Sequence, residues 1–222
     1  MSEESLEELF AALVKNAFRP SRPPGWDRNP TMWLSSVDID KVMHQYETSH
    51  PHFRYLGALP RDFATRDWTG RCISQPMCTL TPSSLRTEGK TEFGVVFNMD
   101  SHTQRGSHWT GCYGCIDPAR RGGRYGLSYY DSVGNPPPAE IERFMKDFQS
   151  QVRKEAARAF PIRCNTVQKQ FADTECGVYA LFFIVACLTT RTPFKTLCER
   201  VMADDSKMNS LRDVFFRDSG RS

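Results

Sequence analysis

Acyl transfer through a thiol needs a nucleophile, an orientable base, a carboxylate that orients the base, and a donor for the oxyanion. The chain offers all four side-chain types in the order His108, Asp131, Gln170, Cys176. Cys176 joins a polar, loop-like stretch, Phe171 to Glu175, to a nearly unbroken apolar run from Val178 to Leu188. An apolar run of that length containing Ala, Leu and Phe reads as a buried helix rather than a strand. Asp173, Glu175 and Gly177 mark its start, where carboxylates suit the positive end of a helix. Cys176 therefore opens the helix, and the N–H groups and dipole there favour a thiolate, the reactive form of cysteine. A lone cysteine at such a place is more often a small buried hydrophobe. Its companions shift that balance. Gln170 lies six residues upstream, His108 precedes Trp109 in "GSHWTGCYGCID", and Asp131 ends an aromatic strand in "YGLSYYDS". Papain-type enzymes run with the cysteine first, and their local signature is absent.

These groups depend on the elements around them. "EFGVVFNMD" reads as a strand, Phe93 to Asn98, followed by the polar loop "SHTQRGS"; "HWTGCYGCID" is the next strand, with His108 at the loop mouth. After the Gly-rich turn "DPARRGGRYG", "YGLSYYDS" returns as the neighbouring strand. Such an antiparallel pair can place His108 and Asp131 at one sheet end, in a register the sequence alone leaves open. Arg120, Arg121 and Arg124 in the turn read as a solvated tip rather than a nucleic-acid patch. "GNPPPAEIERFMKDFQSQVRKEAARAF" is a Pro-initiated helix burying Ile141, Phe144, Met145, Phe148 and Val152. "PIRCNTVQKQ" reads as one more strand, leading to the Gln170 loop.

Upstream, residues 2–18 form an amphipathic helix with Ser5 and Glu8 as a capping box. The stretch 19–30 carries four prolines and reads as an extended connector. A further helix, capped by Ser35 or Ser36, buries Ile39, Val42, Met43 and Tyr46. "HFRYLGAL" is a candidate strand, and the segment from Pro60 to Leu80 reads as loop with short pieces. Two short helices, capped at Thr192 and Ser206, close the chain. The organisation expected is residues 1–30 as helix and connector and 31–222 as a single domain.

Composition excludes several classes. At 222 residues, 39% hydrophobic and 25% charged, the chain fits a globular domain with a sizeable core. A net charge of +3 is too small to argue for nucleic acid. Neither a signal peptide nor a membrane span is visible, and the run after Cys176 is too short for one. Eight cysteines then read as free thiols in a reducing compartment. A zinc site built from Cys72, Cys78, Cys112 and Cys115 is disfavoured. Cys112 and Cys115 lie three apart on a strand and so point to opposite faces.

Taken together, "FNMDSHTQRGSHW", "YYDSVGNPPPAEIERFM" and "QFADTECGVYALFFI" are similar to the cysteine proteases of the adenain and ubiquitin-like-protein protease clan. Within it the chain resembles the polyprotein-processing proteases of large DNA viruses, as in African swine fever virus. The likeness runs from about Trp33 to the C-terminus. It implies an α+β fold, a mixed, largely antiparallel central sheet flanked by helices, and a cysteine endopeptidase needing no cofactor or metal. In that resemblance His108, Asp131 and Cys176 are the triad, and Gln170 with the Cys176 backbone N–H holds the oxyanion. Gln168 competes for the donor role with a poorer spacing. Trp33, from the clan's entry motif, and Trp109 would wall a channel too narrow for a Cβ, favouring Gly-Gly before the cut. The implied setting is host cytoplasm or virion, with a monomer processing a viral structural polyprotein. A ubiquitin-like protein ending in Gly-Gly is the alternative substrate, and acetyl transfer with the same triad a more distant one.

Overall fold

β-Branched and aromatic residues are most frequent in the strand Glu92–Asn98, four of seven, as their fit to a pleated buried surface favours. Five strands, β1 (Phe53–Pro60), β2 (Glu92–Asn98), β3 (Trp109–Cys115), β4 (Gly126–Tyr130) and β5 (Ile162–Cys164), lie side by side in chain order. This computed structural model describes residues 19–120, 124–156, 158–202 and 204–218. The amphipathic helix expected at 2–18 and Arg121 lie outside the described residues. The sheet is mixed and the class α+β, with a division of labour in the pairing. β2–β3 and β3–β4 are antiparallel, whereas the outer strands β1 and β5 join in parallel. Parallel neighbours need a crossover, and helical segments supply both: Gln75–Cys78 and Pro82–Thr87 before β2, and a long helix before β5.

The register that matters is that of β2, β3 and β4. Asn98 pairs with Trp109, and Gly111 pairs with Tyr130. His108 therefore stands just before β3 and Asp131 just after β4, at the same end of the sheet. β2, β3 and β4 are buried along their whole lengths because helices cover both faces. Alternation sorts their side chains: Val96, Tyr113 and Tyr130 join one core cluster, and Phe93, Val95, Phe97, Leu127 and Tyr129 the other. Cys115 and Cys112 fall in different clusters, as a three-residue spacing on a strand demands.

Three helices do most of the covering. α1 (Ser36–Ser49) is closed by Ser35, whose hydroxyl accepts from Asp38 N while the Asp38 carboxylate accepts from Ser35 N, and it buries Ile39, Val42, Met43 and Tyr46. It also guards the free edge of β1: Glu47 accepts from Tyr55 N at 3.0 Å and Asp40 from Ala58 N at 2.9 Å. α2 (Ala139–Ala156) buries Ile141, Met145, Phe148 and Val152, with Phe144 half-buried against them. α3 (Cys176–Thr189) is buried from Cys176 to Leu188. Its apolar side chains contribute about 1.5–3 kcal/mol each. Gly111 lets β3 approach it; a Cβ there would lie 3.0 Å from Phe183 and 3.2 Å from the Ala180 carbonyl. Two short helices follow, α4 (Asp205–Ser210) and α5 (Arg212–Phe215). Asp204 rather than Ser206 caps α4, accepting from Lys207 N, and no side chain caps the segment from Phe194.

Two expectations from sequence are corrected. Cys72 and Cys78 form a disulfide, so the eight cysteines are not all free thiols. The segment doubles back in a small hairpin, with Ile73 N donating to Thr65 O and Ser74 N to Phe63 O. That brings the two Cα atoms to 6.5 Å, within bridging range. Arg120 and Arg124 are not a solvated tip. Arg124 is buried and donates to the Ala186 carbonyl (3.1 Å) and to Thr190, and Arg120 donates to the Leu188 carbonyl (2.6 Å) while pairing with Glu92. Both guanidiniums donate to carbonyls in the last turn of α3, where its negative end favours cations, the Ala186 carbonyl also accepting from Thr190 N; the other end of that helix carries Cys176.

Candidate active site

The end of the sheet where β3 begins and β4 ends faces the first turn of α3. From β3 comes His108, partly buried, whose Nε2 lies 2.7 Å from Asp131 Oδ1. That contact leaves Nδ1 for a second partner, and the ring is also hydrogen-bonded to the Cys176 side chain. Burial alone would lower the His108 pKa. Hydrogen bonds to Asp131 and Cys176, together with the charges of both, more than reverse this and push it up to about 9. The imidazolium is thus the favoured form at neutral pH, which suits an ion pair with a thiolate.

Asp131 is buried at 2% exposure and held at three points. Its Oδ1 also accepts from Val133 N (3.0 Å), its amide donates to Asn165 Oδ1 (2.8 Å), and its carbonyl accepts from Asn165 Nδ2 (2.7 Å). Asn165 follows β5, which pairs in parallel with β4 so that Cys164 sits opposite Tyr129. The side chain of Asn165 thereby continues the sheet by one rung beyond the last backbone pair. Sequence reading missed it; a polar residue ending a strand beside the Asp131 strand was the available signal.

Gln170 is buried, and its carboxamide is fixed in orientation. Oε1 accepts from Ser132 Oγ at 2.6 Å, and Nε2 donates to the Ala172 carbonyl at 2.7 Å. A primary amide has two N–H donors, so one remains for the cleft. Gln168 turns elsewhere, its Nε2 donating to the Gln170 carbonyl at 2.8 Å. Cys176 is the first residue of α3, buried at 2% exposure. Its neighbour Gly177 admits Leu34: a Cβ on Gly177 would lie 3.1 Å from the Leu34 Cβ.

The segment carrying Trp33 is clamped to this centre from three sides. Trp109 Nε1 donates to the Leu34 carbonyl at 2.9 Å, Leu34 packs on Gly177, and Arg212 Nη1 donates to the Met32 carbonyl at 2.8 Å. Trp33 is left 41% exposed and Trp109 8% exposed. Both line one groove of about 510 Å³, together with Leu59, Asn98, His102 and Arg105. Arg212 is the second group the sequence hid. Its buried guanidinium also donates to Thr174 O (2.9 Å) and Asn209 Oδ1 (2.9 Å) and lies over the Trp26 ring. Burial lowers its pKa, opposed by the charges of Glu175 and Cys176. Glu175, itself buried, is satisfied by Thr174 and Asn209. Among the described residues no cluster of His, Cys, Asp or Glu could hold a metal ion, and no helix is long and apolar enough to cross a membrane.

A thiol at a buried helix start and a histidine hydrogen-bonded both to it and to a buried carboxylate are an arrangement able to carry out thiol-mediated acyl transfer on an α+β scaffold. Residues 96–218 match the Ulp1 protease family, C-terminal catalytic domain, and the chain belongs to that family of cysteine peptidases. A thiol protease of Acanthamoeba polyphaga mimivirus is 30% identical over 214 residues, 96% of this chain. The chain spans 65% of that relative's length. The cysteine protease of African swine fever virus is 26% identical over 202 residues, 88% of this chain and 71% of the relative. In fold, the crystal structure of the African swine fever virus protease superposes with a TM-score of 0.73 at 19% identity, covering 99% of this chain and 91% of that one. The C-terminal Ulp1 protease domain, solved in complex with Smt3, the yeast ortholog of SUMO, gives 0.53 at 17% identity over 97% and 95%.

Proposed function

We propose that the protein is a cysteine endopeptidase that cuts after Gly-Gly, processing a viral structural polyprotein in host cytoplasm or virion as a monomer. The observation that carries this reading is the union of His108, Asp131 and Cys176 at one sheet end beside a groove walled by Trp33 and Trp109. In the reaction, the Cys176 thiolate attacks the scissile carbonyl, and the oxyanion is held by the Gln170 amide and the Cys176 N–H. His108, protonated, gives its proton to the leaving amine as the C–N bond breaks, which leaves a thioester. Water, deprotonated by the now neutral His108, then attacks the thioester; the C–S bond breaks, the carboxylic acid is released, and the thiolate and protonated His108 are restored. Asp131 keeps the proton on Nε2 and so directs Nδ1 at the thiol. The Gly-Gly preference comes from the resemblance to the clan and is supported by Trp33 and Trp109 lining one groove, since two indoles beside a substrate backbone favour residues without a Cβ.

Membership in a family that includes SUMO proteases supports a second substrate, a ubiquitin-like protein whose C-terminus ends in Gly-Gly. The test compares kcat/KM on an unfolded Gly-Gly-X peptide with that on ubiquitin and SUMO fusions carrying the same leaving group. Comparable values support the polyprotein linker. A gain of several orders of magnitude from a folded domain would overturn it in favour of the ubiquitin-like protein.

A further inference from the structure

The loop that carries Gln170 and leads to Cys176 is fastened more heavily than the placing of one amide requires. Lys169 N and Gln170 N both donate to the Ser132 carbonyl, at 2.8 and 3.0 Å. Beyond Gln170, the Asp205 carboxylate accepts from Phe171 N and Ala172 N, each at 2.8 Å, and from Tyr179 OH at 3.1 Å. These bonds give the Phe171 Cβ a fixed position, yet its ring is 78% exposed. Val167, on the same loop, is 39% exposed. Two polar side chains that hold the loop are engaged: Lys169 Nζ donates to the Glu199 carbonyl at 2.9 Å, and Asp205 accepts as described. Beside the exposed Asp173, what the loop offers to a partner is the aromatic face. A rigidly mounted, exposed aromatic ring is the kind of group that anchors a bound chain, since little freedom is lost on contact.

Its place relative to the scissile bond follows from the chemistry. His108 must reach the leaving amine, so the leaving segment passes on the side of His108, Asp131 and the loop that hangs from Ser132. The groove of Trp33 and Trp109 draws its walls from residues 33–36, 58–60 and 73, from Asn98 and the loop residues 100–102 and 104–106, and from Trp109, at the β1–β2 side of the sheet end, whereas the Gln170 loop hangs from the β4–β5 side. Phe171 therefore stands across the thiol from the groove that takes the Gly-Gly side.

We infer that Phe171 is a specificity-determining residue for the leaving segment, its ring receiving an apolar side chain within the first three residues after the cut. This deepens the proposed function and rests on it for the direction of the substrate. The test digests a mixed-sequence peptide library with the native enzyme, Phe171→Ala and Phe171→Leu, and sequences the cut sites. The expected result is enrichment of apolar residues after the cut in the native enzyme, lost in Phe171→Ala and largely kept in Phe171→Leu. In matched peptides, kcat/KM with an apolar leaving segment should exceed that with a Gly-Ser segment about tenfold, a ratio that falls to about one in Phe171→Ala. No apolar enrichment in the native enzyme, or one that survives in Phe171→Ala, would overturn the inference. So would a variant equally impaired on both leaving segments, since that marks a structural role. If the residues before the cut were not Gly-Gly, the substrate reading would fail, while the native-to-variant comparison after the cut would still decide the role of Phe171.

Discussion

Replacing Asp131 by Asn removes one charge and keeps one acceptor. The Asn oxygen can still take the bonds that Asp131 Oδ1 now accepts, from His108 Nε2 at 2.7 Å and Val133 N at 3.0 Å. The imidazole tautomer should survive, so the loss is electrostatic. His108 rises from 6.5 to about 9, and Asp131 and Cys176 supply that rise against burial. At about 1.4 kcal/mol per pH unit, the interval is worth about 3 kcal/mol for the imidazolium. Asp131 is one of the two sources of that rise, so loss of its charge should lower kcat/KM on the order of tenfold. The sign of the pH effect is fixed. Activity that needs a protonated His108 is present below its pKa and lost as pH rises through it. The native alkaline limb should therefore fall near pH 9, and that of Asp131→Asn at a lower pH. The same sign governs folding: the charged ring stabilises the native state below pH 6.5, and that contribution disappears between 6.5 and about 9. The assay is kcat/KM against pH, with the rate of thiol alkylation measured in parallel to follow the ion pair without substrate. Asp131→Leu should do far worse, losing the tautomer as well. Equal activity in the Asn, Leu and native forms, or an alkaline limb that does not move, would refute the reasoning.

Cys176→Ala should abolish cleavage with the fold intact, whereas Cys187→Ala, in the buried face of α3, should cost only about 1–2 kcal/mol of stability; activity assays and thermal melts of both separate the two roles. Gln170→Ala should lower kcat about a hundredfold, on the order of 3 kcal/mol, with little change in KM, and Gln168→Ala much less, because its amide faces the Gln170 carbonyl. A reversed ranking in steady-state kinetics would move the oxyanion donor to Gln168. Arg212→Met should destabilise by about 3–5 kcal/mol, since the carbonyls of Met32 and Thr174 and the Glu175 charge lose a buried partner together; a melting curve within 0.5 kcal/mol of native would contradict the clamp.

The parts of the site that could be read from sequence are those set by local pattern. The apolar run after Cys176 could only be a buried helix, and it begins at Cys176. Alternation separated Cys112 from Cys115, and the antiparallel pair of β3 and β4 allowed His108 and Asp131 to share an end, although only the structure fixes the register. Groups joined by long-range hydrogen bonds stayed hidden. Arg212 meets Met32 across 180 positions, and Asn165 meets Asp131 across 34. Nothing within a turn of Arg212 signals its partner, and the strand-end position of Asn165 is a signal only once β5 is known to pair with β4. Arg120 and Arg124 were misread for a related reason: charge in a Gly-rich turn looks solvated until the C-terminus of α3 is known to lie beneath it. The disulfide escaped because a five-residue gap between cysteines says nothing about whether the chain doubles back.

One helix ties these hidden contacts to the chemistry. The first turn of α3 holds the nucleophile, and the residue after it, Gly177, is the floor on which Leu34 rests. Leu34 in turn gives its carbonyl to the Trp109 indole, and Trp109 adjoins His108 in the chain. Arg212 closes the circuit by bridging Met32 and Thr174, one on the groove segment and one on the loop before Cys176. A shift of Trp33 is thus carried to both sides of the thiol through groups that are almost wholly buried and cannot yield independently. Gly177→Ala tests that coupling. The added methyl must displace Leu34 from 3.1 Å, so the groove wall moves while the triad keeps every side chain. Binding of a slender substrate should suffer first, with KM raised several-fold and the pH profile of thiol alkylation unchanged. An altered alkylation profile with native KM would mean that the methyl acts on the thiol directly and that the Trp33 segment is not rigidly linked to it.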